Sequence, residues 1–494
     1  MTDNFHFEFG RQREDGRRRS SDETRLEMLV VGDFRGRTER ESRPAIGTTD
    51  ALRIDVDGFE ATLSRLRPSL RLRPDGREVL LEFSSIDDFH PDHLYARLPR
   101  ITALADARAR LLDSATFEEA AAALEADLQA DDDSAPEDRG RDSRTAHEED
   151  TEDDTSTLKR LFGDLTSRPD ASHARRSKDV VDDFLKKLMG TSSHEASHRG
   201  QAARRDALLK MVDDEIAVAI RLVLHDPDYQ ELESTWRSLH RLVTTVDDQA
   251  VRIHLVDVTR EALHADLRTG GTGLRRQLER SPNTAVVIGA FAYSSNEDDI
   301  AALETLAAIA AEARTPFVAA ARPDLLGCEC FSKTPDPVDW QPATDAASRW
   351  RRLRGHPCAA WLGLVTPRIL LRLPYGTRTD PIEACAFEEM PHAPVHANYL
   401  WGNGAFACAE LLARGVDTSA PLDLEDLPAH VWSGNDDAPQ LTPCAEFYAG
   451  QRAAAHIASQ GLMTLMSHRD RNAVRLTDLR SVAEPATHLA GRWS

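Results

Sequence analysis

Apolar residues along the first 130 positions alternate between strand-like runs and helix-like spacings. The run LEMLVV at 26–31 is continuous and ends at Gly32-Asp33, as in a buried strand that leads into a loop. Further on, leucines recur three and four residues apart, which is the spacing of an amphipathic helix. We therefore predict a small α/β unit with a second strand at 79–83, helices at 59–66 and 92–112, and more helix to about residue 128.

The larger part of the chain predicts a second α/β unit of alternating helices and strands. Residues 202–246 have helical spacing with one interruption at Asp226-Pro227-Asp228, and an alanine- and leucine-rich helix is predicted at 298–314. Strand-like runs lie on both sides of that helix. Because a strand–helix–strand series is typical of a parallel sheet, we predict a mixed, largely parallel sheet with strands at 251–258, 285–291 and 316–321.

Composition divides the chain into three parts. Residues 126–177 are dense in Asp and Glu and poor in large apolar residues, so this segment cannot bury enough surface to offset its ordering entropy. We predict a small domain at 1–125, a disordered acidic linker at 126–177 and a larger domain at 178–494. Short apolar stripes at 158–163 and 178–189 predict docking helices.

The N-terminal segment carries Phe5, Phe7 and Phe9 between polar residues. This strict alternation predicts a strand. A strand that precedes a domain can pair with its own sheet or with the edge of a neighbour's sheet, and we predict that this one is an assembly strand.

Charge and composition narrow the class of protein. The 494 residues include 83 acidic and 61 basic side chains, a formal net charge of −22, which argues against a nucleic-acid binder and against an anionic membrane surface as partner. Neither a long apolar run nor an apolar N-terminal segment is present, so no membrane insertion and no secretory signal are expected. All six cysteines lie between Cys328 and Cys444, which indicates free, mostly buried thiols in a cytoplasmic protein.

Candidate catalytic and ligand-binding motifs are incomplete. The glycine-rich stretch 268–274 lacks the Gly-Lys-Ser/Thr ending of a phosphate loop, and we interpret it as a flexible turn. Cys328-Glu-Cys330 lacks the Cys-x-x-Cys spacing and the second pair of a zinc site. We interpret the acidic pairs Asp213-Asp214 and Asp298-Asp299 as solvated helix faces. We therefore predict no catalytic residue, no metal and no cofactor. The alternative hypothesis is an enzyme that acts through nucleotide or metal chemistry.

The first unit carries several motifs in a fixed order. Residues 28–37 read MLVVGDFRGR, and they are followed by RIDVDGF at 53–59, LLEF at 80–83 and DDFHP at 87–91. In this order and spacing, residues 27–112 resemble TssB, the small subunit of the contractile sheath of bacterial type VI secretion systems. The residues that carry the first motif are Gly32, Asp33, Phe34, Gly36 and Arg37.

The second unit contains a longer set of motifs. Residues 224–240 read LHDPDYQELESTWRSLH, which is similar to the pattern L-H-x-P-x-[FY]-Q-x-L-E-x-x-W-R-x-L-H of TssC, the large sheath subunit. Further matching blocks include LRLPYG at 371–376, FEE at 387–389 and NYLWGN at 398–403, so that residues 180–467 resemble TssC. Together with the five residues of the first motif, the residues that we predict to form the family-motif core are His225, Pro227, Leu232, Glu233, Trp236, Arg237, Leu239, Pro374, Tyr375, Gly376, Tyr399, Leu400, Trp401, Gly402 and Asn403.

The residue pattern of this second unit supports a helix on physical grounds as well. Pro227 suits the first position of a helix, where its missing N–H has no partner to lose. Apolar side chains then recur along one face from Tyr229, and we interpret Trp236 as core packing. Glu233 and Arg237 are four residues apart and can form an ion pair across one helical turn.

The resemblance implies a structural function without catalysis. In such sheaths, subunits add strands to the sheet edges of their neighbours and so form a helical tube around an inner tube, and contraction drives the inner tube into a target cell. The expected partners are the protein itself or other sheath subunits, an Hcp-like inner-tube protein, the baseplate and a ClpV-like disassembly ATPase that contacts residues 178–189. The alternative is a non-polymerising accessory or cap protein of the same apparatus.

Two departures from the family follow from the resemblance. The two subunits, usually separate chains, lie here on one chain, and the linker raises the effective concentration of each unit for the other. The large-subunit part is expected to be shortened at three places. The first is 266–293, and the second follows residues 406–410, where a glycine-rich stretch of the family is mostly missing. The third is the C-terminal end, where the family's last domain is expected to be absent.

Overall fold

A computed structural model of the chain describes residues 25–36, 46–48, 50–74, 76–132, 194–415, 421–433 and 439–492. The predicted assembly strand with Phe5, Phe7 and Phe9, most of the predicted linker, both predicted docking helices and Arg37 lie outside the described residues. Below, residues 25–132 are called the first segment and residues 194–492 the second segment.

The first segment contains the strands and the helix that its apolar pattern predicts, at 26–31, 79–83 and 59–66. Its elements are β1 (Leu26–Gly32), β2 (Leu52–Ile54), α1 (Phe59–Leu66), β3 (Ser69–Leu72), β4 (Val79–Glu82), α2 (Pro91–Arg97), α3 (Pro99–Leu112) and α4 (Phe117–Asp132). The single helix predicted at 92–112 is wrong, because the chain is extended at Leu98 and a new helix begins at Pro99. Proline lacks an N–H and disfavours a helical conformation in the residue before it.

The second segment confirms the predicted helices at 202–246 and 298–314 and the three predicted strands. Pro227 occupies the first turn of its helix, and the Asp226 side chain accepts hydrogen bonds from the N–H groups of Asp228 and Tyr229. The glycine-rich stretch forms a turn between two helices, as predicted. The elements are α5 (His194–Leu224), α6 (Pro227–Thr245), β5 (Val251–Asp257), α7 (Arg260–Arg268), α8 (Thr272–Arg280), β6 (Thr284–Tyr293), α9 (Glu297–Ala313), β7 (Phe317–Ala321), α10 (Thr344–Arg354), β8 (Leu362–Thr366), β9 (Ile369–Leu370), β10 (Trp401–Gly402), α11 (Gly404–Ala413), β11 (Leu422–Leu424), β12 (His430–Ser433), β13 (Pro439–Thr442), α12 (Gln451–Ser459), β14 (Met463–Ser467) and β15 (Val474–Leu476).

A nine-stranded sheet organises both segments. Its strand order is β11-β15-β14-β8-β7-β6-β1-β5-β2. The pairs from β14 to β5 along this order are parallel, while β2, β11 and β15 pair antiparallel with their neighbours. The fold is therefore α/β with a mixed, largely parallel sheet, as predicted.

Strand β1 of the first segment lies between two strands of the second segment. It pairs in parallel with β5 from Leu26↔Val251 to Gly32↔Asp257, and on its other side with β6, where Val30 is opposite Ile288. The strands β5 and β6 follow one another along the chain but are not neighbours in the sheet. The two segments therefore share one sheet, and the helix α4 crosses residue 125, where the sequence predicts the domain to end.

Helices cover both faces of the sheet, so the central strands are buried on both sides. The alternation along β1 shows this: Met28 and Val30 pack with the core that contains α1, α3, α5, α6 and α11, whereas Leu29 and Val31 pack with the core that contains α7 to α10 and α12. None of the helices within the described residues is long and apolar enough to span a membrane.

Candidate functional site

An aromatic cluster joins the two segments at the end of β1. Trp236 on α6 is fully buried, and its indole N–H donates a hydrogen bond of 2.9 Å to the backbone oxygen of Phe34. Its ring contacts those of Phe34 and Phe59 edge to face, with ring centroids 5.5 and 5.7 Å apart. The interpretation of Trp236 as a core residue is confirmed. It packs in the core that lies between the first and the second segment.

A second group of rings continues this contact along α6. The hydroxyl of buried Tyr229 donates a hydrogen bond of 2.9 Å to the backbone oxygen of Phe89. Phe83 and Phe89 stack with their ring centroids 4.2 Å apart, and Tyr229 packs against both. Residues of the VLLEF and DDFHP motifs therefore contact the helix that begins the large-subunit motif.

The turn after β1 is shaped by Asp33 and Gly36. One carboxylate oxygen of Asp33 accepts hydrogen bonds from the N–H groups of Arg35 and Gly36. The Phe34 N–H donates to Asp257 at the end of β5, and Arg35 forms an ion pair of 3.0 Å with the same carboxylate. Because Gly36 has φ +77° and a Cβ there would lie 2.5 Å from the backbone oxygen of Ser69, this position requires glycine.

Replacing Gly36 with alanine is expected to lower the free energy of unfolding by about 3 kcal/mol, since backbone strain and a backbone clash add. Gly76 is the matched control, because its φ is +85° but a Cβ there would meet nothing within 4 Å. Gly76→Ala should cost only the conformational strain, about 1 kcal/mol. Urea denaturation of both variants measures the difference, and equal losses would contradict the role of the Ser69 contact.

A buried ion cluster connects α6 to the segment that follows β9. Arg372 donates hydrogen bonds to Glu233 at 2.9 Å and to Glu389 at 2.8 Å, and both carboxylates are almost fully buried. Arg237 donates to Glu233 at 2.7 Å, which confirms the predicted pair, and also to the hydroxyl of Tyr375 at 2.9 Å. The guanidinium of Arg372 lies over the Tyr375 ring, 4.1 Å from its centroid.

The charges of this cluster stabilise one another. Burial opposes ionisation of Glu389, but the charge of Arg372, the imidazole of His225 and the Tyr375 N–H outweigh it and lower the pKa of Glu389 to about 2. Burial likewise disfavours the Arg372 cation, yet Glu233 and Glu389 hold the pKa of Arg372 well above its ordinary value. Arg372 and Glu389 therefore both carry their charges at neutral pH.

Ion pairs between α3, α4 and α5 add polar contacts between the segments. Arg108 donates to Asp213 at 2.6 Å, Arg100 pairs with Glu215 at 3.2 Å, and Arg204 donates to Glu125 at 2.7 Å. The interpretation of Asp213 as part of a solvated face is wrong, because two helices from different segments pack at that position.

Burial raises the pKa of Glu215 to about 7, against the opposing charge of Arg100. Between pH 4.5 and about 7 the native state therefore keeps a proton that the unfolded chain has lost. The contribution of this group to stability is present below that window and falls as the pH rises through it.

The last motif block lies apart from the Trp236 cluster. Tyr399 and Trp401 pack together with Leu370, and the hydroxyl of Tyr399 is 2.7 Å from Nδ1 of His430. The Asn403 side chain accepts a hydrogen bond from the Ala405 N–H and so caps α11, while its amide donates to the backbone oxygens of Gly289 and Phe291 on β6. This block thus orients the strand β10 and the helix α11 against the sheet.

A cleft of about 1010 Å³ opens at the carboxyl ends of β6 and β7. Asp299 lies at its base with 2% exposure and accepts hydrogen bonds from the N–H and hydroxyl of Ser294, both 2.7 Å, and from Arg260 at 2.6 Å. The solvated-face interpretation is therefore wrong for Asp299, because its carboxylate joins the start of α9 to the end of β6. Charged and polar residues at the cleft include Arg260, His264, Asp298, Arg322, Cys330, Arg368 and Glu446.

Several residues of the predicted family-motif core are brought together by the structure. Phe34 and Trp236 form the aromatic cluster, and Glu233, Arg237 and Tyr375 form the ion cluster. The predicted set omits Arg372 and Glu389. Both lie in matching blocks of the large-subunit motif, at 371–376 and 387–389, and a charged residue beside apolar residues in such a block could have indicated a buried ion pair. The predicted large-subunit residues that are buried are Leu232, Glu233, Trp236, Leu239, Pro374, Tyr375, Gly376, Tyr399, Leu400, Trp401 and Gly402.

Comparison with known proteins covers both segments. Residues 206–278 and 281–483 match the family model VipB, described as EvpB/VC_A0108, tail sheath N-terminal domain. Residues 12–131 match the family model described as type VI secretion system, VipA, VC_A0107 or Hcp2. The chain is also similar to the type VI secretion system sheath protein TssC1 of Pseudomonas aeruginosa, with 25% identity over 357 residues that cover 66% of this chain and 71% of that protein.

Proposed function

Because this chain belongs to the sheath-protein family of type VI secretion systems and joins its small-subunit and large-subunit families in one polypeptide, we propose that it polymerises into a contractile sheath. In this proposal the subunits form a tube around an inner tube, and contraction of the tube drives the inner tube into a target cell. The family is one of structural proteins, and the function proposed for this chain is mechanical, without catalysis. The observation that carries the proposal is the insertion of β1 between β5 and β6.

Strand insertion supports the proposed mode of assembly. Within the chain, β1 of the small-subunit segment completes the sheet of the large-subunit segment. Hydrogen bonds between backbone groups therefore join the two segments. The same ladder of hydrogen bonds can extend between chains wherever a strand has a free edge. Among the described strands, β2 and β11 each pair with one neighbour and lie at the two ends of the sheet. We propose these ends as the places where strands of neighbouring subunits add.

The proposed partners follow from the same assembly. They are further copies of this chain or other sheath subunits, an Hcp-like inner-tube protein, the baseplate and a ClpV-like ATPase that disassembles the contracted sheath. The proposed location is the cytoplasm. Residues 178–189, the proposed contact for the ATPase, lie outside the described residues.

Electron microscopy of the full-length protein tests the proposal. We expect long hollow tubes, either from the protein alone or after mixing with an inner-tube protein from the same genome. Monomers or small closed particles under both conditions would contradict polymerisation and would favour a cap or accessory protein.

The variant Phe7→Pro is expected to abolish these tubes, because proline removes a ladder N–H and cannot take up regular strand pairing. Its melting temperature should equal that of the unmodified protein, since the strand is proposed to pair with a neighbouring subunit. Phe7→Leu is the matched control and should still form tubes. Normal tubes from Phe7→Pro would refute the assembly role of the N-terminal strand.

A further inference from the structure

One cysteine faces a histidine at the edge of the cleft. Cys330 is partly exposed and lines the cleft, and its sulfur lies 3.8 Å from Nδ1 of His396. The two residues are 66 positions apart, so this contact is made by the tertiary fold. A thiol reacts as its thiolate, and an imidazole nitrogen at this distance can accept the thiol proton.

The far side of the imidazole faces a buried carboxylate without a hydrogen bond to it. Nε2 of His396 lies 3.5 Å from Glu446, which is 5% exposed and accepts a hydrogen bond of 2.6 Å from Arg368. Burial opposes ionisation of Glu446, but Arg368 outweighs it and lowers the pKa of that carboxyl. A carboxylate at Nε2 favours the tautomer that carries its proton there, which leaves Nδ1 free to accept one from Cys330.

The same imidazole is also fixed in orientation and charge. The ring of His396 stacks on Trp401 with centroids 5.1 Å apart, and the Trp401 N–H donates to the backbone oxygen of His396 at 2.9 Å. Burial lowers the pKa of His396, with the charge of Glu446 opposing and that of Arg368 reinforcing the shift. The ring is therefore neutral at neutral pH, the form that can act as a base.

The other cysteines have different surroundings. Cys328, Cys385, Cys408 and Cys444 are buried, and burial raises the pKa of each of these thiols. Cys358 is partly exposed like Cys330, and it also has a histidine nearby, His356. In that pair, however, the backbone N–H of Cys358 donates a hydrogen bond to Nδ1 of His356. Cys358 is therefore an internal control of similar exposure.

We propose that Cys330 is a reactive thiol that is oxidised by hydroperoxides, with His396 as the base and Glu446 as the residue that positions it. The thiol proton passes to Nδ1 of His396, and the sulfur attacks one oxygen of hydrogen peroxide. An S–O bond forms, the O–O bond breaks, and the leaving hydroxide takes the proton from His396 to give water. Sulfur loses two electrons to the peroxide, and Cys330 becomes a sulfenic acid. This site goes beyond the proposed sheath function and does not depend on it.

The first test compares two thiols of the intact, unmodified protein. The full-length chain is treated with hydrogen peroxide at neutral pH in the presence of dimedone, and labelling of each cysteine peptide is followed by mass spectrometry. We expect Cys330 to be labelled about tenfold faster than Cys358, because an imidazole nitrogen lies at the sulfur of Cys330, whereas the described hydrogen bond between Cys358 and a histidine uses the Cys358 backbone N–H. Equal rates at the two thiols would overturn the assignment.

The second test uses histidine variants that should retain the fold, verified by their melting temperature. His396→Asn is expected to slow labelling of Cys330 about tenfold and leave Cys358 unchanged. His356→Asn, the matched control beside Cys358, should leave Cys330 unchanged. An unchanged rate at Cys330 in His396→Asn, or an equal loss at both thiols, would refute the role of His396 as the base.

Discussion

Replacing Arg372 with methionine is expected to lower the free energy of unfolding by about 3–5 kcal/mol, because two buried carboxylates lose the cation between them. Glu233 and Glu389 are 0% and 1% exposed, so water cannot replace the lost hydrogen bonds. Methionine keeps most of the side-chain volume, so the loss reports charge rather than packing. The midpoint of urea denaturation at neutral pH measures it.

Arg352 provides the matched control for this variant. It forms an ion pair of 3.1 Å with Glu304, a distance close to those in the buried cluster, but its side chain is 68% exposed. Arg352→Met should therefore change the free energy of unfolding by about 0.5 kcal/mol or less. A similar loss in both variants would contradict the claim that burial decides the contribution of the ion cluster.

Two further measurements separate charge from packing in the Arg372→Met variant. Adding Glu389→Gln should recover part of the stability, since Glu389 is the carboxylate that loses its guanidinium partner, whereas Glu233 keeps its hydrogen bond from Arg237. Lowering the pH from 7 towards 5 should also narrow the difference from the unmodified protein. In the unmodified protein the stabilising effect of Glu389 is present above its ordinary pKa of 4.5 and is lost only as the pH falls towards about 2. In the variant, Glu389 stays buried without its guanidinium partner, so protonation relieves the cost of its charge at a higher pH than in the unmodified protein.

Trp236→Ala is expected to lower the free energy of unfolding by about 3–5 kcal/mol, the cost of a cavity left by a large buried aromatic side chain. The cavity would lie between α6 and the turn after β1, where Phe34 and Phe59 lose their ring contacts. Trp236→Phe keeps a ring but leaves the Phe34 oxygen without its donor, and we expect a smaller loss of about 1–3 kcal/mol.

The site of the damage distinguishes this prediction from general destabilisation. Hydrogen exchange of the amides of Leu26–Gly32 should become faster in Trp236→Ala, because the turn that holds β1 loses its main packing partner. Trp432 on the β12–β13 hairpin is half-buried and outside the main core clusters, and Trp432→Ala should leave exchange in β1 unchanged. Unchanged exchange in β1 for Trp236→Ala would contradict the role of Trp236 in joining the segments.

The shared sheet has a consequence for a sheath built from one chain. Because β1 lies between β5 and β6, the small-subunit segment cannot leave without breaking two ladders of hydrogen bonds and two layers of core. The covalent connection and the strand insertion therefore both favour equal numbers of the two family units in the assembly. Sheath growth, as proposed, would add whole two-unit building blocks.

Local periodicity in the sequence was sufficient to predict β1, α1, α6, β5, β6, α9 and β7. The helical face from Tyr229 to Leu242 and the apolar runs of β1 and β6 are properties of neighbouring residues, because helix and strand place side chains at periods of 3.6 and 2. The motif order was likewise enough to identify both family resemblances. The error at Leu98–Pro99 came from giving leucine spacing more weight than the backbone restriction that proline imposes.

Only the tertiary structure decided which strands are neighbours and which charges meet. The strands predicted at 251–258 and 285–291 follow one another in the sequence, yet a strand from more than 200 residues earlier lies between them in the sheet. Arg372 meets Glu233 across 139 positions, and Cys330 meets His396 across 66. Such contacts depend on how the burial of apolar faces brings distant elements together, and a pattern of neighbouring residues carries no information about that choice. The sequence by itself therefore determined the elements with a clear apolar period and the family, whereas the joined sheet, the ion cluster and the thiol–imidazole pair exist only in the folded chain.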